Sequence, residues 1–178
     1  MTQFRADAGL AFMLQYENVA WYDAGEVRIL DRRIYPAKIA FVRCRTHGEV
    51  AQAIADMVTQ SAGPYTAAAM GMALAAYECR GKPKEEQLAF LRAADDTISN
   101  ARPTTAGRMR LICDGCLKAA ELALEEGRPV DLAIREHAVD TNNRRYSKVN
   151  EIARYLVPLI PEGGTVMTQC FGETIVGM

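Results

Sequence analysis

The stretch TAAAMGMALAAYECR, residues 66–80, decides the fold class. Alanine and methionine dominate it, and apolar residues fall on every side of a helix with a period of 3.6 residues, which predicts a helix buried nearly all round. Small residues such as Gly71 and Ala75 allow a neighbouring helix to approach closely. The stretch therefore predicts the inner helix of a helical bundle.

Other helices are predicted on both sides of it. Thr46 and Glu49 form the S/T-x-x-E capping box that begins a helix. One face of that helix is apolar: Val50, Ala53, Ile54, Met57 and Val58. The segment at residues 61–64, SAGP, breaks it. Glycine and proline then separate three further predicted helices, at residues 84–100, 105–126 and 130–156.

Residues 12–42 are predicted to form β structure. VAWY at residues 19–22 and EVRIL at residues 26–30 flank the turn DAG, in which Gly25 can adopt a positive φ. The alternation of polar and apolar residues in EVRIL is typical of a half-buried strand. IAFV at residues 39–42 completes a small antiparallel meander.

The sequence pattern of the C-terminal segment differs from that of the helices before it. TVMTQC at residues 165–170 predicts a buried strand, and Gly172 follows it, as at the start of a Rossmann-like domain. A single parallel strand cannot bury itself, so we expect the parent protein or another chain to supply its partners. The predicted fold class is α+β, with a meander and helical bundle at residues 1–157 and the first strand of a truncated Rossmann-like domain at residues 158–178.

Composition narrows the class of protein. Of the 178 residues, 49% are hydrophobic and 24% charged, which is typical of a globular chain. The net charge of −1 argues against nucleic acid as a partner. No apolar run reaches the roughly 18 residues that span a membrane, and the N-terminus lacks signal-peptide features, so we expect a cytoplasmic protein. The odd count of five cysteines favours reduced thiols.

Four segments, in order, resemble the methylthioribose-1-phosphate isomerase family, which includes ribose-1,5-bisphosphate isomerase and the regulatory subunits of initiation factor 2B. They are the hairpin from VAW to LDRR (residues 19–33), the alanine-rich stretch at residues 67–75, ARPT at residues 101–104 and PEGGTVMTQC at residues 161–170. The resemblance implies a small N-terminal domain joined to a larger Rossmann-like domain. It also implies a homodimer in which each subunit has about twice this length. The implied enzyme uses no metal or organic cofactor.

The resemblance also implies a site. Isomerisation of a C1-phosphorylated pentose moves hydrogen between C1 and C2, which needs an acid–base group, a second polar group and a phosphate clamp. Cys170 matches the family's catalytic cysteine, and the catalytic aspartate would come from the C-terminal domain. Arg102 matches the arginine of the family's SRPT loop, and its planar fork suits a phosphate.

One segment departs from the family. The isomerases carry RGAP or RGAG where this chain has TQSAGP at residues 59–64, so the substrate-binding arginine is missing. Ser61, Ala62 and Gly63 can still offer backbone N–H groups to an anion. The departure leaves room for a different sugar phosphate, or for a non-catalytic regulatory protein that binds a sugar phosphate or nucleotide.

Three further features have two interpretations each. Cys113 and Cys116 form a C-x-x-C motif, which can hold zinc or act in redox chemistry, but the spacing favours two small apolar residues on one helix face. DTNNRR at residues 140–145 lines a cleft or, as we favour, forms a solvated face. Trp21 and Tyr22 pack the hairpin or cover the substrate, and packing is the favoured interpretation.

Overall fold

The computed structural model describes residues 4–168, 172 and 177. Within these residues, a three-stranded sheet precedes five α-helices: β1 Ala20–Asp23, β2 Glu26–Leu30, β3 Phe41–Cys44, α1 His47–Ala55, α2 Gly63–Cys79, α3 Lys84–Ser99, α4 Ala106–Glu126 and α5 Val130–Leu156. Single 3-10 turns lie before the sheet at Phe12–Leu14 and Tyr16–Asn18, between α3 and α4 at Pro103–Thr105, and after α5 at Val157–Leu159. The predicted mixed α and β character is confirmed. None of the helices in the described part of the chain has the length and apolar character needed to cross a membrane.

The sheet is the predicted antiparallel meander with strand order β1-β2-β3. Ala24 and Gly25, with φ of 44° and 85°, make the two-residue turn between β1 and β2. The third strand begins at Phe41, which pairs with Leu30, rather than at Ile39. Ile39 lies beyond the end of β2 and is exposed. Residues 12–18, also predicted as β structure, form two 3-10 turns instead.

The capping box predicted for α1 is present. The Glu49 N–H donates to Thr46 Oγ1 at 3.2 Å, and the Thr46 N–H donates to the Glu49 carboxylate at 3.3 Å. Met57, predicted on the buried face, is exposed because α1 ends at Ala55 and the chain turns through a φ of 59° at Met57. Val58, predicted on the same face, is buried after this left-handed turn.

Helix α2 is the inner helix of the bundle, as predicted. It contacts all four other helices and strands β1 and β2, and its residues from Ala67 to Ala76 are buried. A Cβ added at Gly71 would lie 2.9 Å from Val50 Cγ1 and 3.1 Å from Ile98 Cδ1, so α1 and α3 approach closely there. The helix begins at Gly63, three residues earlier than predicted, because Pro64 fits the first helical turn, where no N–H acceptor is required.

The remaining helices have nearly the predicted bounds. Pro83 immediately precedes α3, and Gly127, with a φ of 66°, caps the C-terminus of α4. Helix α5 spans Val130–Leu156, as predicted. Its C-terminal turns leave large apolar side chains exposed, including Ile152 and Tyr155.

The segment ahead of the sheet is fastened to α5, which the sequence did not indicate. Asn143 accepts hydrogen bonds from the Ala6 N–H and the Tyr16 hydroxyl, each at 2.9 Å, and donates to the Phe4 carbonyl at 2.7 Å. The Tyr146 hydroxyl donates to the Leu14 carbonyl at 2.9 Å. These contacts close a second, smaller apolar cluster beside the main core.

The predicted C-terminal strand does not form in the part that the structure describes. Residues 165–168 belong to no strand and are exposed, with Met167 94% exposed. The physical reason is that no described strand lies beside them to accept their backbone hydrogen bonds. The rest of the predicted strand, including Cys170, lies outside the described residues, and the Rossmann-like start is not confirmed.

Candidate functional site

Arg102 lies in the connection between α3 and α4. Its backbone is extended, with φ −144° and ψ 108°, and its carbonyl accepts a hydrogen bond from the Thr105 N–H at 3.1 Å. This bond closes the short 3-10 turn Pro103–Thr105 and fixes the base of the arginine. The Nη1 atom of Arg102 is buried and has no hydrogen-bond partner among the described residues. A buried guanidinium nitrogen without an acceptor is unusual and suits a residue whose partner is a ligand.

The segment at residues 61–63 leads into α2. Ser61 has a φ of 55°, Ala62 is the N-cap and Gly63 is the first helical residue. The Gly63 N–H donates to the Gln60 carbonyl at 2.9 Å. Of the three amides predicted to meet an anion, this one therefore already has an acceptor within the chain.

Helices α2 and α4 begin beside each other. The guanidinium carbon of Arg108, in the first turn of α4, lies 5.9 Å from the centre of the Tyr65 ring, in the first turn of α2. The two predicted substrate-binding segments lead directly into these two first turns. Helix N-termini carry partial positive charge, so this end of the bundle favours anions. Cys170 lies outside the described residues, and the structure does not place it relative to Arg102.

A cavity of about 500 Å³ opens between α2, α4 and α5. Arg108, Arg144 and Arg145 line it, together with Tyr65 and His137. We call it the arginine cleft. The favoured prediction that residues 140–145 form a solvated face is wrong, because four residues of α5 between 141 and 145 line this cleft and Asn142 and Asn143 are buried.

A sequence signal for the cleft existed in α5. Ala138, Asn142 and Arg145 follow one another at i, i+4 and i+7, so they share one helical face. Ala138 is 3% exposed, which places this face against the bundle. When polar residues continue the buried apolar face of a helix, this pattern predicts that they line a cavity rather than face solvent.

His137 lines the cleft and lies against α4. A Cβ added at Gly115 would lie 2.8 Å from its Nε2 atom, so the imidazole fits only because residue 115 is glycine. Burial and the nearby positive charge of Arg144 lower the pKa of His137, whereas Asp140 acts in the opposite direction. The ring is therefore predominantly neutral near pH 7.

Cys113 and Cys116 are fully buried in α4, in agreement with the favoured packing interpretation. Burial raises the pKa of the Cys113 thiol to about 12 and also raises the pKa of Cys116. Both side chains are therefore protonated and poorly nucleophilic at neutral pH. Among the residues that the structure describes, no group of three or more histidine, cysteine or carboxylate side chains is arranged to hold a metal ion.

Trp21 and Tyr22 have structural contacts of the kind that hairpin packing requires. Tyr22 is buried, and its hydroxyl donates to Asp131 Oδ2 at 2.7 Å, which ties β1 to the start of α5. Two guanidinium groups lie near the Trp21 ring: their central carbons are 5.4 Å (Arg5) and 5.9 Å (Arg135) from its centre. These contacts fasten the hairpin to its neighbours.

No protein-family model matches the chain. Two curated relatives are methylthioribose-1-phosphate isomerases. The protein from Pelotomaculum thermopropionicum is 31% identical over 162 residues, which cover 86% of this chain and 43% of the relative. The protein from Roseiflexus castenholzii is 33% identical over 166 residues, which cover 84% of this chain and 44% of the relative. The chain thus spans less than half the length of these relatives.

Two solved structures share the fold. A 5-methylthioribose 1-phosphate isomerase from Pyrococcus horikoshii OT3 superposes with a TM-score of 0.66 and 25% identity, over 81% of this chain and 41% of that protein. The delta subunit of translation initiation factor eIF-2B from A. fulgidus gives a TM-score of 0.58 and 27% identity, over 75% of this chain and 38% of that protein. The chain therefore belongs to the methylthioribose-1-phosphate isomerase and initiation factor 2B-like family, of which it covers the N-terminal part.

Proposed function

We propose that the polypeptide containing these 178 residues is an aldose–ketose isomerase that acts on a 1-phosphorylated pentose. The substrate is one such as 5-methylthioribose 1-phosphate, which places the enzyme in methionine salvage. The observation that carries this proposal is the relationship to proteins named methylthioribose-1-phosphate isomerase over more than 80% of the chain. A structural neighbour named for the same activity adds support.

In this proposal, residues 1–157 form the small N-terminal domain and residues 158–178 begin a Rossmann-like catalytic domain. The exposed apolar side chains at the end of α5 support such a division, because a second domain would cover them. They are Ile152, Tyr155, Leu156, Val157 and Leu159. The full protein acts in the cytoplasm as a homodimer.

Arg102 and Cys170 have the central roles in the proposed site. Arg102 binds the substrate phosphate, and its buried, unpartnered Nη1 supports this role. Cys170 is the acid–base group that helps move hydrogen between C1 and C2. Ser61, Ala62 and Gly63 border the same substrate, with the Ala62 amide a better candidate donor than the Gly63 amide, which already donates to Gln60.

The role of Arg102 is tested by kinetics of the Arg102→Gln variant with 5-methylthioribose 1-phosphate. Loss of a charge-assisted bidentate contact should lower kcat/KM about tenfold or more, mainly through KM. Arg92→Gln is the matched control, because Arg92 is exposed on α3 and pairs with Glu121 at 3.5 Å. Equal kinetics for the two variants would remove Arg102 from the substrate site.

A second candidate is a non-catalytic regulatory protein that binds a sugar phosphate or a nucleotide. It is favoured by the absence of arginine from residues 59–64 and by the likeness to an eIF-2B delta subunit. Calorimetry with 5-methylthioribose 1-phosphate, ribose 1,5-bisphosphate and a nucleoside monophosphate separates the candidates. Binding without turnover would favour regulation, and turnover of ribose 1,5-bisphosphate alone would identify the isomerase of that substrate.

A further inference from the structure

The arginine cleft begins at the first turns of α2 and α4, next to the segments assigned to the proposed isomerase site, but it has different lining residues. Its walls come from the first half of α2, the first half of α4 and the middle of α5. Neither Arg102 nor any of residues 61–63 lines it. With a volume of about 500 Å³, it is large enough for a small metabolite.

The charges that line the cleft have one sign. Arg108, Arg144 and Arg145 line it, and none of the described residues in its lining carries a carboxylate. Asp140, the acidic residue of this part of α5, is not in the lining. By contrast, Arg110, on the same helix as Arg108, pairs with Asp96 at 3.2 Å outside the cleft. The cleft therefore concentrates positive charge in a chain whose net charge is −1.

Arg145 supplies the sharpest evidence for a ligand. Its Nε atom is buried and has no hydrogen-bond partner among the described residues. Its guanidinium carbon lies 5.2 Å from the centre of the Tyr146 ring, a contact that restrains the group. An unpaired buried donor is unfavourable, and the residue that carries it lines the cleft. The guanidinium of Arg145 has further N–H groups that can donate to an anionic oxygen there.

The other two arginines stand closer to solvent. Arg144 is exposed and donates to Thr141 Oγ1 at 2.9 Å, which orients it along the cleft wall. Arg108 is exposed, and its guanidinium lies over the Tyr65 ring. Three guanidinium groups offer more donors than one carboxylate can accept, whereas a phosphate monoester has three terminal oxygens and up to two negative charges.

The cleft also has an apolar side. Leu111, Ile112 and the Tyr65 ring line it beside the arginines, and Leu111 is 66% exposed. Such a surface suits the carbon skeleton of an organic phosphate better than a free inorganic ion. We propose that the arginine cleft is a second anion site, which binds the phosphate group of a small organic phosphate through Arg108, Arg144 and Arg145. This proposal goes beyond the isomerase activity and does not depend on it.

Calorimetry of the polypeptide that contains these residues tests the site, with ribose 5-phosphate and inorganic phosphate as probes and ribose as the uncharged control. Ribose 5-phosphate should bind saturably and more tightly than inorganic phosphate, and ribose should not bind. Arg145→Gln and Arg108→Gln should each weaken the binding of ribose 5-phosphate about tenfold, because each removes a charge-assisted hydrogen bond. Circular dichroism verifies that the variants are folded. If Arg145→Gln does not fold, Arg108→Gln still tests the site.

Two control variants separate this site from general charge and from the proposed isomerase site. Arg110→Gln removes the same charge from the same helix outside the cleft, and it should leave the affinity unchanged within about twofold. Arg102→Gln should likewise leave this affinity unchanged, even where it impairs turnover. Absence of saturable binding, or equal weakening by Arg110→Gln and Arg145→Gln, would overturn the proposal. Weakening by Arg102→Gln alone would also overturn it, because the phosphate would then occupy the other site.

Discussion

At Gly63, the first residue of α2, the chain passes against the side chain of Thr59. A Cβ added at Gly63 would overlap Thr59 Oγ1, and Thr59 is 1% exposed and has little room to move. The sequence singled out Gly63 for its backbone amide. The structure gives it a different role, which is to permit a close approach between two segments at the start of the inner helix.

Replacement of Gly63 by alanine should therefore destabilise the protein by about 1–3 kcal/mol, because the added methyl group forces a buried segment to shift. Urea-induced unfolding of the Gly63→Ala variant measures the change. Gly107→Ala is the matched control, since Gly107 is also in the first turn of a helix but a Cβ there would contact nothing within 4 Å. The control should be neutral or stabilising by up to about 1 kcal/mol. A loss of stability as large in Gly107→Ala as in Gly63→Ala would contradict this interpretation.

At the scale of elements, α5 joins three parts of the molecule. It packs against α2 and α4, lines the arginine cleft and binds the N-terminal segment through Asn143. Its bounds follow from the sequence because Gly127 and Pro129 end the preceding helix, and a helical pattern of apolar residues begins at Val130. Its polar middle lines a cleft rather than a solvated face, and the local signal for this is that Asn142 and Arg145 continue the apolar face of Ala138.

The connection through Asn143 is a testable consequence. Asn143→Ala removes hydrogen bonds to Phe4, Ala6 and Tyr16, and leaves the buried Tyr16 hydroxyl without its acceptor. We expect a loss of about 2 kcal/mol in the free energy of unfolding, together with faster amide hydrogen exchange in residues 4–18. Asn150→Ala, at an exposed position on the same helix, should change stability by less than about 0.5 kcal/mol. Unchanged exchange in residues 4–18 would show that Asn143 does not hold this segment.

At the scale of the whole molecule, the meander and the bundle share one core around α2. Sequence patterns predicted this arrangement well, because a capping box, Gly25 and several proline or glycine breaks mark where elements begin and end. The arginine cleft was not predictable in the same way, since residues from three helices separated by up to 80 positions form it. The catalytic half of the proposed site depends on Cys170, which lies outside the described residues.

The half-buried His137 makes the stability of the whole molecule depend on pH. Burial and the charge of Arg144 lower its pKa in the folded state below the ordinary value of 6.5. Between these two pKa values the unfolded chain binds a proton that the folded chain does not, so stability falls as the pH decreases through about 6.5. The loss stops growing once the pH is below the folded-state pKa.

Urea unfolding of wild type and His137→Gln at about pH 7.5 and about pH 5.5 measures this contribution. The variant should lose less stability than wild type between the two pH values. Hydrogen bonds from Arg5 oppose protonation of Asp7 and Glu17 and lower the pKa values of both carboxyl groups, so their contributions change only at more acidic pH. An equal loss in wild type and variant would exclude His137 as the source.

The most direct test of the proposed function is the conversion of 5-methylthioribose 1-phosphate by the polypeptide that contains these residues, followed by NMR. We expect formation of the corresponding 1-phosphorylated ketose and a fall in its rate of about a hundredfold or more in Cys170→Ser, because an acid–base group is lost. Saturable binding of 5-methylthioribose 1-phosphate with no ketose formed by the wild-type polypeptide would contradict it.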